Sequence, residues 1–117
     1  MGLTVQPSAV IEAFEPDDGI ELRPLVSSDD LMVVRVDIAP RAELRVHDHP
    51  HEQAGYVAAG SFTFNGDQER QVEEGDGYYV PPGHRHGVIG HEEPAVAIDV
   101  FTPAREEYRE RYDHLKQ

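Results

Sequence analysis

Apolar residues along this chain fall in short alternating runs, and turn residues separate the runs. Alternation with a period of two is typical of strands that bury one face. Gly60 divides the longest run, Pro40 ends another, and Asn65–Gly66 is a hairpin turn signal. The pattern predicts an all-β sandwich or barrel. Its predicted strands are Ile20–Val26, Leu31–Ala39, Glu43–His47, two strands within Ala54–Phe64, Gln68–Glu73, Gly77–Val80, His86–Ile89 and Ala95–Phe101.

The two ends of the chain depart from this strand pattern. Residues 1–19 are predicted to be a loose segment, in which Val10–Phe14 could add an edge strand. The barrel is assigned to residues 20–103. Residues 104–117 are predicted to form a C-terminal helix that packs on the barrel.

Capping and periodicity both favour that C-terminal helix. Thr102 suits the N-cap, and Pro103 suits the first helical position because its missing N–H costs nothing there. Glu107 and Arg111 have the i, i+4 spacing of a solvent-exposed ion pair. One helical stripe, predicted to pack on the barrel, carries Tyr108, Tyr112 and Leu115.

The charge of the chain excludes some partners. The 117 residues carry a net charge of −13, with one lysine among ten basic residues. Nucleic acids and anionic membranes attract clusters of Lys and Arg, so neither partner is expected. No apolar run is long enough to span a membrane and no signal peptide is visible, which predicts a cytoplasmic protein. The acidity itself fits either an ordinary acidic protein or adaptation to high salt.

Five of the seven histidines fall in two tight groups, His47 to His51 and His84 to His86. His47 and His49 are two apart and share one face of a strand, so both imidazoles can reach one ion. Gln53 has the same parity, and a second strand, after the turn Pro81–Gly83, must supply the remaining ligand. The chain has no cysteine, so a transition metal would bind imidazole, amide and carboxylate groups.

These groups resemble the two motifs of the cupin family. In the first, a His-x-His pair is followed after three or four residues by Glu and six residues later by Gly. In the second, Gly and five residues precede Pro-x-Gly, which is followed by two residues and His. The matching positions here are His47, His49, Gln53 and Gly60, and then Gly75, Pro81, Gly83 and His86.

The resemblance implies a double-stranded β-helix, also called a jelly roll, with a metal ion inside the barrel. Its ligands would be His47, His49, Gln53 and His86. The expected cofactor is one divalent transition metal ion, with Ni, Zn, Mn, Fe and Co left open. Arg41 and Gly90 replace motif residues that are not ligands.

Gln53 is the departure from the motif that affects the chemistry. It stands where the family carries a ligating glutamate, and its neutral amide oxygen leaves the charge of the ion uncompensated. We expect weaker retention of the metal, stronger Lewis acidity and a better receptor for an anionic substrate.

The last strand, Ala95–Phe101, has two different faces. Val96, Ile98 and Val100 form an apolar face, which the N-terminal strand or a second subunit could cover. The opposite face carries Ala95, Ala97, Asp99 and Phe101 and suits the wall of a ligand cavity. A buried aspartate is costly unless it is paired or functional. Arg105 could pair with it or bind a substrate carboxylate; alternatively, both groups lie exposed at the barrel end.

A narrower resemblance rests on three runs, His-x-His-Pro-His-Glu-Gln at 47–53, Gly-Tyr-Val at 55–57 and Asp-Val-Phe-Thr-Pro-x-Arg at 99–105, and covers about His47 to Arg105. The sequence is similar to the cupins of pectin and alginate breakdown, which open the ring of unsaturated uronates. That resemblance implies an enzyme acting on a small anionic sugar, with catalytic or substrate-binding roles for Asp99, Phe101 and Arg105. A homodimer is also expected, since cupins commonly pair.

Other functions stay open on the sequence alone. The chain could be a different metal-dependent cupin enzyme, such as a dioxygenase or an isomerase, or a non-catalytic module that binds a small molecule. His51 and His84 could transfer protons at the site or lie on a polar rim. Glu52 is expected to point away from the site, and His91 and His114 are expected on the surface.

Overall fold

Two antiparallel β-sheets face each other across one apolar core in the computed structural model, which describes residues 2–116. Within these residues a six-stranded sheet has the order β1-β2-β3-β10-β5-β8, and a four-stranded sheet has the order β4-β9-β6-β7. The strands are β1 Phe14–Asp17, β2 Ile20–Ser27, β3 Met32–Ile38, β4 Glu43–His47, β5 Glu52–Ala59, β6 Ser61–Gly66, β7 Arg70–Glu73, β8 Gly77–Val80, β9 His86–Gly90 and β10 Ala95–Thr102. This is the predicted jelly roll.

The alternation read from the sequence sets which face of each strand is buried. In β3 and β10 every second residue is buried and the residues between them are half-buried. Paired positions across neighbouring strands then present their buried side chains to the same side. The most deeply buried side chains of the core are Phe62, Ile20, Met32, Ile38, Leu115, Val34, Val57 and Pro24.

Two local features differ from the sequence predictions. The N-terminal edge strand is Phe14–Asp17, and Ser8–Val10 is a 3-10 turn, so the predicted strand Val10–Phe14 is displaced. Asn65 and Gly66 do not form the hairpin turn; they extend β6 because β9 pairs with both of them. The turn to β7 follows at residues 67–69.

The C-terminal helix α1 is shorter than predicted and starts later. It spans Glu106–Arg111, with Arg105 at the N-cap, because Thr102 is still paired with Glu52 as the last residue of β10. Thr102 is therefore not the N-cap. A 3-10 turn, Asp113–Leu115, follows the helix.

The side chains around α1 also differ in part from expectation. Tyr108 and Leu115 are buried against the barrel and Tyr112 is half-buried, in agreement with the predicted stripe. The predicted Glu107–Arg111 pair is not formed. Arg105 pairs with Glu107 at 2.8 Å, and the Arg111 guanidinium lies 4.0 Å from the ring centroid of Phe14. No helix among residues 2–116 has the length and apolar character needed to cross a bilayer.

Candidate metal centre

Three histidines meet at one end of the space between the sheets. His47 ends β4, His86 begins β9, and these two residues are paired across the strands. His49 follows in the loop after β4. One ligand nitrogen from each ring lies within 4.8 Å of the other two, and His49 and His86 are buried. The structure thus brings together the three histidines that the motif spacing selected.

A main-chain carbonyl orients each of these rings. The Nδ1 atoms of His47, His49 and His86 lie 2.9, 3.1 and 2.8 Å from the carbonyl oxygens of residues 45, 51 and 84. If each Nδ1–H donates to its carbonyl, the Nε2 lone pairs are free. Metal-binding histidines are typically held by such a contact, which fixes the tautomer of the ring.

Gln53 completes the cluster and supports a cation there. Its Oε1 atom lies 3.1 Å from Nε2 of His49, and its side chain is buried. A neutral imidazole has one N–H, so it cannot donate both to Gln53 and to the carbonyl of His51. With Nδ1–H donating to the carbonyl, Nε2 of His49 and Oε1 of Gln53 are two acceptors that face each other, and a bound cation would satisfy both.

Protonation of His49 does not resolve this conflict. Burial, with the positive charge of Arg105 adding to it, lowers the pKa of His49 from 6.5 to about 4. Burial also lowers the pKa of His86. Both rings are therefore neutral near pH 7, which is the form that binds metals. The donor set of three imidazoles and one amide oxygen fits a divalent transition ion.

Asp99 lies beside this cluster and is buried on the inward face of β10, which decides between the two positions that the sequence left open for it. Burial raises the pKa of Asp99 to about 6, although hydrogen bonds from Tyr78 and Gln53 act in the opposite direction. The Tyr78 hydroxyl donates to Oδ1 of Asp99. A carboxyl group with such a pKa can give and take a proton near neutral pH.

Phe101 and Arg105 are also at the site, but Arg105 does not pair with Asp99. The Phe101 ring meets His49 edge-on, with centroids 5.6 Å apart. The Arg105 guanidinium lies 5.1 Å from the Phe101 and Tyr108 ring centroids, and Glu107 is its ion-pair partner. Its side chain is 12% exposed, so the charge remains at the site.

A cavity connects these groups and leads outward. Its walls include the two candidate ligands His47 and His86, and also Gln53, Asp99, Phe101 and Arg105. An outer groove continues from His47 and Arg105 to Arg45, Arg111 and Phe14. A small anionic molecule in the cavity would touch the histidine cluster, Asp99 and a guanidinium together.

The other histidines take varied positions. His51 is half-buried beside His49, with ring centroids 5.5 Å apart, and its Nδ1 has no partner among the described residues. His84 contributes only its carbonyl to the His86 contact. His91 and His114 are half-buried rather than on the surface: His91 lies between the Ser61 and Thr63 hydroxyls, and His114 contacts a carbonyl of β2.

Sequence reasoning did not single out Tyr78, although it lines the cavity. Its position in a Gly-Tyr-Tyr-Val strand gives the alternation that places one tyrosine inside and one outside. Tyr79 is accordingly exposed and donates to Glu52, which points away from the cluster as expected. The contact between Tyr78 and Asp99 depends on strand order, which periodicity does not give.

The fold and this histidine cluster define a member of a known family. Residues 34–101 match the profile of the cupin domain, and the chain belongs to the cupin family. It is 41% identical over 96 residues to the pectin degradation protein KdgF of Dickeya dadantii strain 3937, covering 80% of this chain and 87% of that protein.

Solved structures agree with the fold. An RmlC-like cupin from Shewanella frigidimarina is 30% identical with a TM-score of 0.81, covering 92% of this chain and 96% of that chain. KdgF from a Halomonas species is 27% identical, also with a TM-score of 0.81, covering 90% of this chain and 99% of that chain. The predicted resemblance to the cupins of pectin degradation is therefore confirmed.

Proposed function

We propose that this cupin is a metal-dependent enzyme that opens or tautomerises a small anionic sugar of the unsaturated uronate type. One observation carries the proposal: three oriented imidazoles form one cluster, and two of them, His47 and His86, line the same cavity as the buried carboxyl group of Asp99. The similarity to a pectin degradation protein supports a uronate as substrate.

The proposed metal ligands are His47, His49, Gln53 and His86. A divalent ion held there would supply Lewis acidity and a charge that attracts the oxygens of the substrate. The chain's own groups do the rest. Arg105 binds the carboxylate of the sugar, Phe101 packs on the sugar ring, and the cavity walls fix its orientation.

Asp99 is the proposed general acid/base. Its carboxyl group gives a proton to the enol-ether unit of the substrate and takes one back when the open-chain keto form is produced. Burial has raised the pKa of Asp99 to about 6, so both protonation states are accessible near neutral pH.

The first test is turnover of a 4,5-unsaturated monouronate, followed by loss of its ultraviolet absorbance, with metal-loaded and chelated protein. We expect turnover only in the loaded form. Asp99→Asn should lower kcat by about a hundredfold or more, because general acid/base groups contribute on that scale. Asp18→Asn, an exposed aspartate, is the matched control. Full turnover by Asp99→Asn would refute the catalytic role.

The same assay separates the alternative functions. A dioxygenase would need iron and would consume oxygen, whereas ring opening needs neither redox change nor oxygen. A non-catalytic module would bind the uronate in a titration without changing its absorbance. Either outcome would contradict the proposed reaction. Neither would decide whether the protein binds a metal, which needs a separate test.

Metal binding is tested by elemental analysis of the untagged protein. We expect about one ion per chain, lost in His49→Ala and in His86→Ala, because each removes one imidazole donor. His91→Ala is the control, since its ring contacts hydroxyls away from the cluster. An equal metal content in all four proteins would contradict the site.

We further propose that the protein is a homodimer of the cytoplasm. Support for the dimer comes from the outer face of the six-stranded sheet, where Val96, Ile98 and Val100 are only half-buried. Tyr56 and Tyr79 on that face are 51% and 56% exposed. Light scattering should give twice the chain mass, and Ile98→Glu should halve it; a monomeric wild type would refute the dimer.

A further inference from the structure

We propose that Tyr78 is a positioning residue for the reaction. Its hydroxyl holds Asp99 in place across the space that the missing side chain of Gly55 leaves on the face of the sheet. This inference rests on the proposed function, because it concerns how the proposed acid/base is oriented. Its structural basis is a row of three residues across three neighbouring strands.

The row is set by the register of β8, β5 and β10. Gly55 of β5 is paired on one side with Tyr78 and on the other side with Asp99. Paired residues of neighbouring strands present their side chains on the same face, which here is the cavity side. Tyr78 and Asp99 are therefore two strands apart, and a side chain on β5 would normally separate them.

Glycine at position 55 removes that separation. A Cβ atom placed there would lie 2.2 Å from Cζ of Tyr78 and 2.4 Å from Oδ1 of Asp99. The phenol thus occupies the space above Gly55, and its hydroxyl donates to Oδ1 of Asp99. Without this glycine the contact cannot form in its present geometry.

Aromatic neighbours fix the Tyr78 ring. The centroid of Phe64 lies 4.9 Å away and that of Phe62 lies 6.3 Å away, both nearly perpendicular to the phenol. Edge-to-face contacts of this kind favour one ring orientation. The hydroxyl is therefore delivered to Asp99 by a ring that has little freedom to turn.

The row continues into the candidate metal centre. Gln53 also acts on the Asp99 carboxyl group, whose pKa it lowers, and the Gln53 oxygen lies 3.1 Å from Nε2 of His49. Asp99 thus has polar neighbours from β5 and β8, which both lie on the same side of β10 in the sheet. Among the described residues, the Tyr78 hydroxyl forms its hydrogen bond with Asp99 and none with a histidine. Its effect on the reaction therefore passes through Asp99.

The test is a double-mutant cycle on kcat for the unsaturated monouronate. Tyr78→Phe keeps the ring and removes the donor; we expect kcat to fall about tenfold or more with KM nearly unchanged, as for loss of a hydrogen bond to a charged group. In the Asp99→Asn background the same change should have no further effect. Tyr79→Phe, the exposed neighbour, is the control.

Gly55→Ala tests whether the empty space above Gly55 is needed. The new methyl group must displace the Tyr78 ring and the Asp99 carboxyl group, so kcat should fall at least as far as in Tyr78→Phe. Wild-type kcat in Tyr78→Phe would overturn the proposal. A tenfold loss that persists in the Asp99→Asn background would also overturn it, because Tyr78 would then act without Asp99.

Failure of the proposed function is recognised separately. If wild type does not turn over uronates, the side-chain carboxyl ¹³C resonance of Asp99 becomes the readout. A resonance that moves in Tyr78→Phe and not in Tyr79→Phe supports the positioning contact. A resonance that is the same in all three proteins overturns it.

Discussion

Gln53 stands where the family motif carries glutamate, and its neighbours give this exchange a physical reason. Its side chain lies between His49 and the buried carboxyl group of Asp99. An amide can accept toward a cation with its oxygen and donate to Asp99 with its nitrogen. A glutamate could only accept, and it would bring a second carboxylate against Asp99 in a buried site.

Gln53→Glu is therefore expected to separate metal retention from catalysis. The added negative charge should strengthen binding of the divalent ion, measured by competition with a chelator. The lost donor and the repulsion between carboxylates should lower kcat about tenfold or more. Gln68→Glu, an exposed glutamine, controls for the change in net charge. Unchanged kcat in Gln53→Glu would show that the amide has no special role.

His49 and Asp99 have opposite effects on the stability of the metal-free protein in acid. The pKa of His49 is lowered to about 4, so between pH 6.5 and 4 the unfolded chain binds a proton at this residue before the folded chain does. The free energy of unfolding therefore decreases as the pH drops through this range. The pKa of Asp99 is raised to about 6, so on acidification the folded chain binds that proton first. Its contribution to stability is present at low pH and lost as pH rises through about 6.

Asp99→Asn should remove this compensation. We expect the free energy of unfolding of chelated Asp99→Asn to fall more steeply than that of wild type as pH drops from 6.5 to 4. The difference should reach up to about 3 kcal/mol, since each pKa unit corresponds to ~1.4 kcal/mol. Urea unfolding across this pH range measures it, and parallel curves for the two proteins would contradict it.

Among the elements, β4 and β9 hold two of the three histidines, and a bulge lies between their paired positions. Leu44 is paired with Val88 and His47 with His86, so β4 has one extra residue in this interval. Gly87 lies opposite the extra residue. A Cβ atom there would be 2.7 Å from the Leu44 carbonyl oxygen and 2.6 Å from Oδ1 of Asn65.

Gly87→Ala is expected to force β4 and β9 apart. The free energy of unfolding should drop by about 1–3 kcal/mol, the usual cost of overpacking. Metal affinity should drop as well, because His47 and His86 flank the bulge. Gly77→Ala is the matched control, since a Cβ atom at that strand position meets only an ordinary contact at 3.8 Å. Equal stability of the two variants would contradict the argument.

The sequence predicted the elements better than their junctions. Period-two alternation located the strands and the face of β10 that carries Asp99, and motif spacing selected His47, His49 and His86. Thr102 looked like a helix N-cap, but pairing with β5 keeps it in β10. Arg105 was considered as a partner for Asp99, yet Glu107 is nearer to it along the chain and pairs with it. The pairing of Thr102 depends on strand order, which local pattern does not contain.

At the scale of the whole molecule, the net charge of −13 is the dominant electrostatic feature. The outer groove carries three arginines, Arg45, Arg105 and Arg111, against two acidic residues that pair with the first two of them, so a small excess of positive charge lies where an anionic substrate would enter. In most ion pairs of the described residues at least one of the two side chains is exposed to solvent. Such pairs stabilise the fold little, so they offset little of the repulsion among the excess carboxylates. Screening by salt should therefore stabilise the fold.

Adaptation to high salt predicts a rise in Tm between 0.05 and about 1 M NaCl, where the Debye length falls to ~3 Å. A gain of ~1 kcal/mol corresponds to about 4 °C for a domain of this size. The gain should shrink at pH 5, where protonation lowers the negative charge. A Tm that does not respond to salt would mark an ordinary acidic protein.

The histidines and Asp99 differ in which part of the chain fixes their orientation. The carbonyls that orient the histidines belong to the backbone at residues 45, 51 and 84, and substitution of those side chains leaves the carbonyls in place. The orientation of Asp99 depends instead on side chains, those of Tyr78 and Gln53, and on the absence of one at Gly55. Point mutations at these positions can thus alter the surroundings of Asp99 while the three histidines keep their orientation, so the two parts of the site can change independently in evolution.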